Sequence, residues 1–208
     1  MNRLSAAQSA IGLLLSLSAS AVNSGTVEQA TIVADPQMQM KAGKVEGCGA
    51  RLRSVPKELG PKSNMVLDSS FNVYASGLAL LKGGAVELAA KKGSQEVTVR
   101  NKPIQSFWLK VQSEQATVPS GDKVIPAETK GYLLYGTSLD AALKLFDAVL
   151  TDAPITIGMR LHGEPVERIY TGTAEFSKPD AAELTRCMGE LAAQIRNDIS
   201  KDEATPSK

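Results

Sequence analysis

Along most of this chain apolar residues return at every second position, and at only two places does the interval lengthen to three and four. A period of two belongs to a strand with one buried face, and a period near 3.6 to an amphipathic helix. The pattern therefore restricts the chain to a sheet-dominated fold with two helices. The reading is α+β: a mainly antiparallel β-sheet or sandwich of roughly seven to ten strands, with one inserted helix (about 138–151) and a C-terminal helix (about 178–198) packed on the sheet.

The strand runs are explicit. Between Val45 and Val55, Cys48, Ala50 and Leu52 face one way, and Gly49, Arg51 and Arg53 the other. From Val66 to Ser76, Phe71, Val73 and Ala75 oppose Ser70, Asn72, Tyr74 and Ser76. Glu96–Arg100 and Ile104–Val111 are two more strands parted by Asn101-Lys102-Pro103, and a short strand is expected at Tyr132–Tyr135 after a loop-like stretch from Ser113 to Lys130. Ile155, Ile157, Met159 and Leu161 form a strand that turns at His162-Gly163-Glu164-Pro165 into a partner at Val166–Tyr170. Within Gly77–Ala90, Gly83-Gly84 reads as the turn of a hairpin.

The first helix is marked by Leu139, Ala142, Leu143, Phe146, Val149 and Leu150, with Thr137 and Asp140 as its capping box. The second opens at Ser177, Pro179 and Asp180 and carries an apolar stripe of Leu184, Cys187, Met188, Leu191 and Ile195.

Cys48 and Cys187 are the only cysteines. One points inward from a strand and the other inward from the C-terminal helix, so a disulfide clamping helix to sheet is expected. Closing so long a loop is worth about 4–5 kcal/mol in the chain-entropy model. A zinc site would need more ligands than two Cys and the one histidine, His162, supply.

Residues 1–21 read as a cleaved signal peptide, with Arg3 in the n-region, an apolar run from Ala10 to Leu17 and the small-residue site Ala19-Ser20-Ala21. The run is too short for a span of about 20 residues, so no stable membrane insertion is expected after cleavage. Residues 22–43 are expected to be a flexible lead-in with room for a short strand near Thr31–Val33, residues 44–198 a single globular domain, and residues 199–208 a disordered tail. Lys and Arg number 23 against 22 Asp and Glu, and Arg3 leaves with the leader. A balanced mature chain lacks the basic surplus that grips nucleic acid.

No catalytic or cofactor set stands out. Only one histidine is present, and no phosphate-binding glycine loop or nucleophile elbow accompanies it. Scattered carboxylates such as Glu87, Glu164 and Glu167 leave a glycan or peptide hydrolase open. The expected partner contacts are Trp108, Arg160, His162, Glu164 and Arg168, of which Trp108 either stands outward or, the reading adopted, lies buried under the first helix. Taken together, these features suggest a non-enzymatic periplasmic or secreted binding protein, such as an inhibitor, an immunity-type partner or an envelope accessory factor, recognising another envelope or secreted protein. The alternatives are the hydrolase and a subunit of a surface or secretion assembly.

Overall fold

The computed structural model describes residues 25, 27–58, 64–90, 97–112, 116–117 and 124–203. The expected signal peptide lies outside them. Among the described residues ten strands and two helices follow in the order β1 (Val27–Lys41), β2 (Lys44–Pro56), β3 (Met65–Tyr74), β4 (Ala79–Ala90), β5 (Val97–Lys102), β6 (Ile104–Val111), β7 (Val124–Pro126), β8 (Leu133–Thr137), α1 (Leu139–Leu150), β9 (Pro154–Leu161), β10 (Arg168–Glu175) and α2 (Lys178–Glu203). The strands run β6-β9-β10-β1-β2-β3-β4-β8-β7 across one sheet, with β5 pairing the far half of β4. Every pairing is antiparallel except that of β1 with β10. The sheet curls until β4 meets β6 and β9, and the fold is α+β with the sheet dominant.

The alternation in the sequence becomes two faces. Ile32, Leu52, Leu67, Phe71 and Leu81 point inward and are fully buried, meeting Leu109, Ile155, Ile157 and Met159 from the other half of the curl. The inserted helix adds Leu145 and Phe146, the latter edge-on to Phe71 with ring centroids 4.8 Å apart. Offset or edge-to-face contact of this kind adds about 0.5–1.5 kcal/mol beyond the area it buries. Two tyrosines reach across the core. Tyr170 donates its hydroxyl to the Met65 carbonyl at 2.9 Å, and Tyr135 donates to the Phe107 carbonyl at 3.2 Å. Burial is the main cause that pushes both phenols up to about 12.

The C-terminal helix opens at Ser177, whose hydroxyl accepts from the Asp180 amide at 3.2 Å and donates to its carboxylate. It packs on β1 and β2, and the Cys48–Cys187 disulfide fastens it there, with Cα atoms 5.9 Å apart across a separation of 139 residues.

Several expectations are corrected. The presumed lead-in is a fifteen-residue strand, β1, inserted between β10 and β2. Its inward positions are Ile32 between two alanines, Ala30 and Ala34, which shorten the signal to a few residues, and Pro36 obscures it further. Pro36 sits beyond Val33, where β1 has already left β10, and a free edge is where a strand tolerates proline. Gly83-Gly84 is not a turn: β4 runs straight through it, because Gly83 leaves room for the Phe107 ring and Gly84 for the Tyr132 ring. A Cβ at either position would fall within 2.5 Å of ring carbons.

Smaller differences follow from packing. The cap of α1 is Ser138, which accepts from the Ala141 amide at 3.1 Å, in place of Thr137. The buried stripe of α1 is Ala142, Leu145, Phe146, Ala148 and Val149, leaving Leu139, Leu143 and Leu150 facing out. The C-terminal helix continues to Glu203, into the expected tail, since neither glycine nor proline interrupts it between Gly189 and Pro206.

Candidate functional site

The outward faces of β1 to β4 carry ordered rows of side chains, fixed by the pairing registers. One row runs Gln37, Gly49, Asn72, Leu80; the next Asp35, Arg51, Ser70, Lys82; the next Val33, Arg53, Asp68, Gly84. Beyond these the character changes: Val66 pairs with Val86, Leu88 with Val99 on β5, and Val55 lies alongside. Because side chains on one sheet face recur every second residue, a row-by-row change in residue type becomes a polar-to-apolar gradient along the strands.

At the boundary sits a fixed charged centre. Asp68 is only 5 % exposed. Arg51 clasps it with two bonds, Nε to Oδ1 at 2.8 Å and Nη2 to Oδ2 at 2.7 Å. Tyr132, reaching in ahead of β8 and covering Gly84, donates its hydroxyl to Asp68 Oδ2 at 2.8 Å. Arg53 reaches diagonally back to Asp35 at 2.7 Å. Burial and the bond to Asp68 push the Tyr132 phenol well above its ordinary value, and the same carboxylate raises Arg51 further above its own. The tyrosine therefore stays a donor and the arginine a cation at any physiological pH.

Lys82 is differently placed. Its Nζ donates to Thr129 Oγ1 at 3.2 Å and stands 5.6 Å from the centroid of the Tyr132 ring. Both partners are neutral. Beside it Asn72 Nδ2 donates to Gln37 Oε1 at 3.3 Å, across Gly49, where a Cβ would strike the asparagine.

Three hollows follow this face and share lining residues. A central one of about 230 Å³ lies among Gln37, Arg51, Asp68, Ser70, Lys82 and Tyr132. A polar one of about 540 Å³ extends from Lys82 past Asn72 and Tyr74 towards Glu128. An apolar one of about 540 Å³ extends from Arg51, Asp68 and Tyr132 over Val55, Val66, Val86 and Leu88. Adjoining through these shared residues they make a trough, whose two larger hollows fall in the size range of small-molecule sites, roughly 300–1,000 Å³.

The contacts expected from sequence lie elsewhere, around β6, β9 and β10. Trp108 is half-buried on the outward side and not under α1. Its ring fills the space over Gly158 and its Nε1 donates to Glu167 Oε2 at 3.2 Å. Arg160 approaches Glu167 Oε1 at 3.9 Å, and Arg168 pairs with Glu164 at 3.2 Å. His162 is exposed at the turn, its amide bonded to the Pro103 carbonyl. The structure thus joins Trp108 and Arg160 through Glu167, keeps Arg168 with Glu164, and leaves His162 apart. Glu87, a candidate acid, is paired with Lys102 at 3.5 Å.

The trough was missed because its parts come from a strand read as lead-in, a glycine pair read as a turn, and Tyr132, read as the start of a strand. The outward Arg51 and Arg53 were the available signal. Among the described residues no group of His, Cys, Asp and Glu is placed to hold a metal ion, and no helix is long and apolar enough to cross a membrane. Comparison with protein families, curated proteins and solved structures finds no match.

Proposed function

We propose that this chain is an exported binding protein of the periplasm or the extracellular space, non-enzymatic, and that its ligand occupies the trough. The observation that carries the reading is the trough's centre, where Arg51, Asp68 and Tyr132 hold one another in place before any ligand arrives. Groups already ordered lose little freedom on binding, which is how an exposed sheet face gains affinity. The formed disulfide fits an oxidising compartment.

The hydrolase reading has less support. Asp68 is the one buried carboxylate among the described residues, and both its oxygens are engaged by Arg51 and Tyr132. One observation favours a subunit of an assembly: Val97 and Val99 on β5, and Val124 and Ile125 on β7, are exposed on strands that end their sheet paths.

The test is capture from the host's envelope extract on immobilised protein, with bound material identified by mass spectrometry. The wild type is expected to retain a reproducible component that Lys82→Glu loses at least tenfold, with unchanged melting temperature. Equal recovery on the variant, or nothing above blank resin, defeats the proposal.

A further inference from the structure

Resting on that reading, we propose that the ligand is a single-chain anionic amphiphile, its charged head beside Lys82 and its aliphatic chain over the valines of β2, β3 and β4.

The argument for the head is charge complementarity. Five charged groups stand on this face: Arg51, Asp68 and Lys82 line the central hollow, Arg53 lines the apolar one, and Asp35 pairs with Arg53. Arg51 cancels Asp68 and Arg53 cancels Asp35. Lys82 is left over, with a hydroxyl and an aromatic ring as its partners among the described residues. Glu128, the remaining charge on that side, is exposed at the far rim. A half-buried ammonium with neutral neighbours gains more from an incoming anion than an exposed one does, because less water screens the pair. A cationic head placed there would meet the like charge of Lys82, and the carboxylates of Asp68 and Asp35 are already held by Arg51 and Arg53.

The argument for the chain is the apolar half. Val33, Val55, Val66, Val86 and Leu88 stand half-buried side by side on a face that, among the described residues, no helix covers. Contiguous apolar surface left open on one side of a sheet marks a binding groove. Tyr132 joins the two halves, since it lines both the central hollow and the apolar one. From Lys82 to Leu88 along β4 is six residues, roughly 20 Å. That length suits a small head followed by a chain of about twelve carbons at the spacing of ordinary single bonds. The occupant is therefore one chain with one charge. A two-chain lipid would overfill a groove flanked by Arg53 on one side and β5 on the other.

Isothermal titration of the whole mature protein with dodecanoate, kept below its micelle concentration, tests this directly. One-to-one saturation is expected, with dodecyltrimethylammonium at least tenfold weaker and acetate not bound. Lys82→Met should weaken dodecanoate at least tenfold, and Val66→Thr with Val86→Thr about tenfold, with both variants melting as the wild type does. Equal affinity for the two amphiphiles, or a Lys82→Met protein that binds dodecanoate unchanged, overturns the inference. If dodecanoate does not bind while envelope capture still depends on Lys82, the amphiphile falls and the binding reading stands. If capture is also insensitive to Lys82, both fall.

Discussion

Two outward regions of this molecule are built from the same ingredients and end differently. Around β9, Trp108 lies over Gly158 and Glu167 answers both the indole and Arg160, so these groups consume one another. Around β3 and β4, Tyr132 lies over Gly84 and Asp68 answers both the phenol and Arg51, yet a trough remains. The difference lies in where the aromatic residue comes from. Trp108 is supplied by a neighbouring strand of the same sheet and packs down with its pleat. Tyr132 is supplied from outside the ladder, next to β8, and stands against the face with space on either side. A strand-borne ring closes a sheet surface, whereas a ring brought in from beyond the ladder props it open.

The largest expected effect sets the range in which the two regions can be compared at all. Tyr135 and Tyr170 lie in the core, and both are held near 12 against an ordinary value of 10. Below pH 10 the folded and unfolded chains both keep these protons. Between pH 10 and 12 only the unfolded chain releases them, so each phenol should withdraw on the order of 2–3 kcal/mol as pH rises through that window. Urea melts followed from pH 8 to 12 should show stability flat and then falling. Flat stability to pH 12 would mean that neither phenol is held in the core as described.

Next in size, Asp68→Ala leaves the buried Tyr132 hydroxyl without its acceptor and frees Arg51, and should lower stability by about 1–3 kcal/mol, mostly the cost of the unmet buried donor. Equilibrium urea unfolding measures it, and a loss under 0.5 kcal/mol would show the centre to be solvated and loose. The smallest effect is expected at the closed region. Glu167→Ala removes an ion pair of 3.9 Å with a 38 % exposed Arg160 side chain and one indole bond, and should cost under about 1 kcal/mol. If Glu167→Ala proved costlier than Asp68→Ala, the contrast between the two regions would collapse.

How much of this was visible in the residues follows the same physics. The strands around Cys48, Phe71, Leu109 and Ile157 were legible because each buries one face and alternates cleanly. The disulfide was legible because Cys48 and Cys187 each sat on an apolar stripe. The strand β1 was legible only as a short piece around Ile32, because alanines carry the inward positions on either side and a proline interrupts the pattern. Gly83-Gly84 misled because a glycine in a turn and a glycine beneath an aromatic ring are the same letters; only the positions of Phe107 and Tyr132, far off in sequence, tell them apart. The trough inherits both failures, since it needs β1 at one side and Tyr132 over β4 at the other. Trp108 was visible as a candidate, but its partner Glu167 lies across the sheet on the far side of a turn.

The place of β1 in the sheet also governs the order of events when the chain acquires its shape. Its neighbours are β2, which follows at once, and β10, which arrives more than a hundred residues later. No growing or partially emerged chain can join the two parts of this sheet until residue 175 is present, because β1 waits for β10 from the other end. Contacts between such distant segments make folding slow relative to proteins with local contacts. The hairpins from β1 to β4 can pair as they emerge, but the seam that joins them to β9 and β6 closes only when β10 is in place.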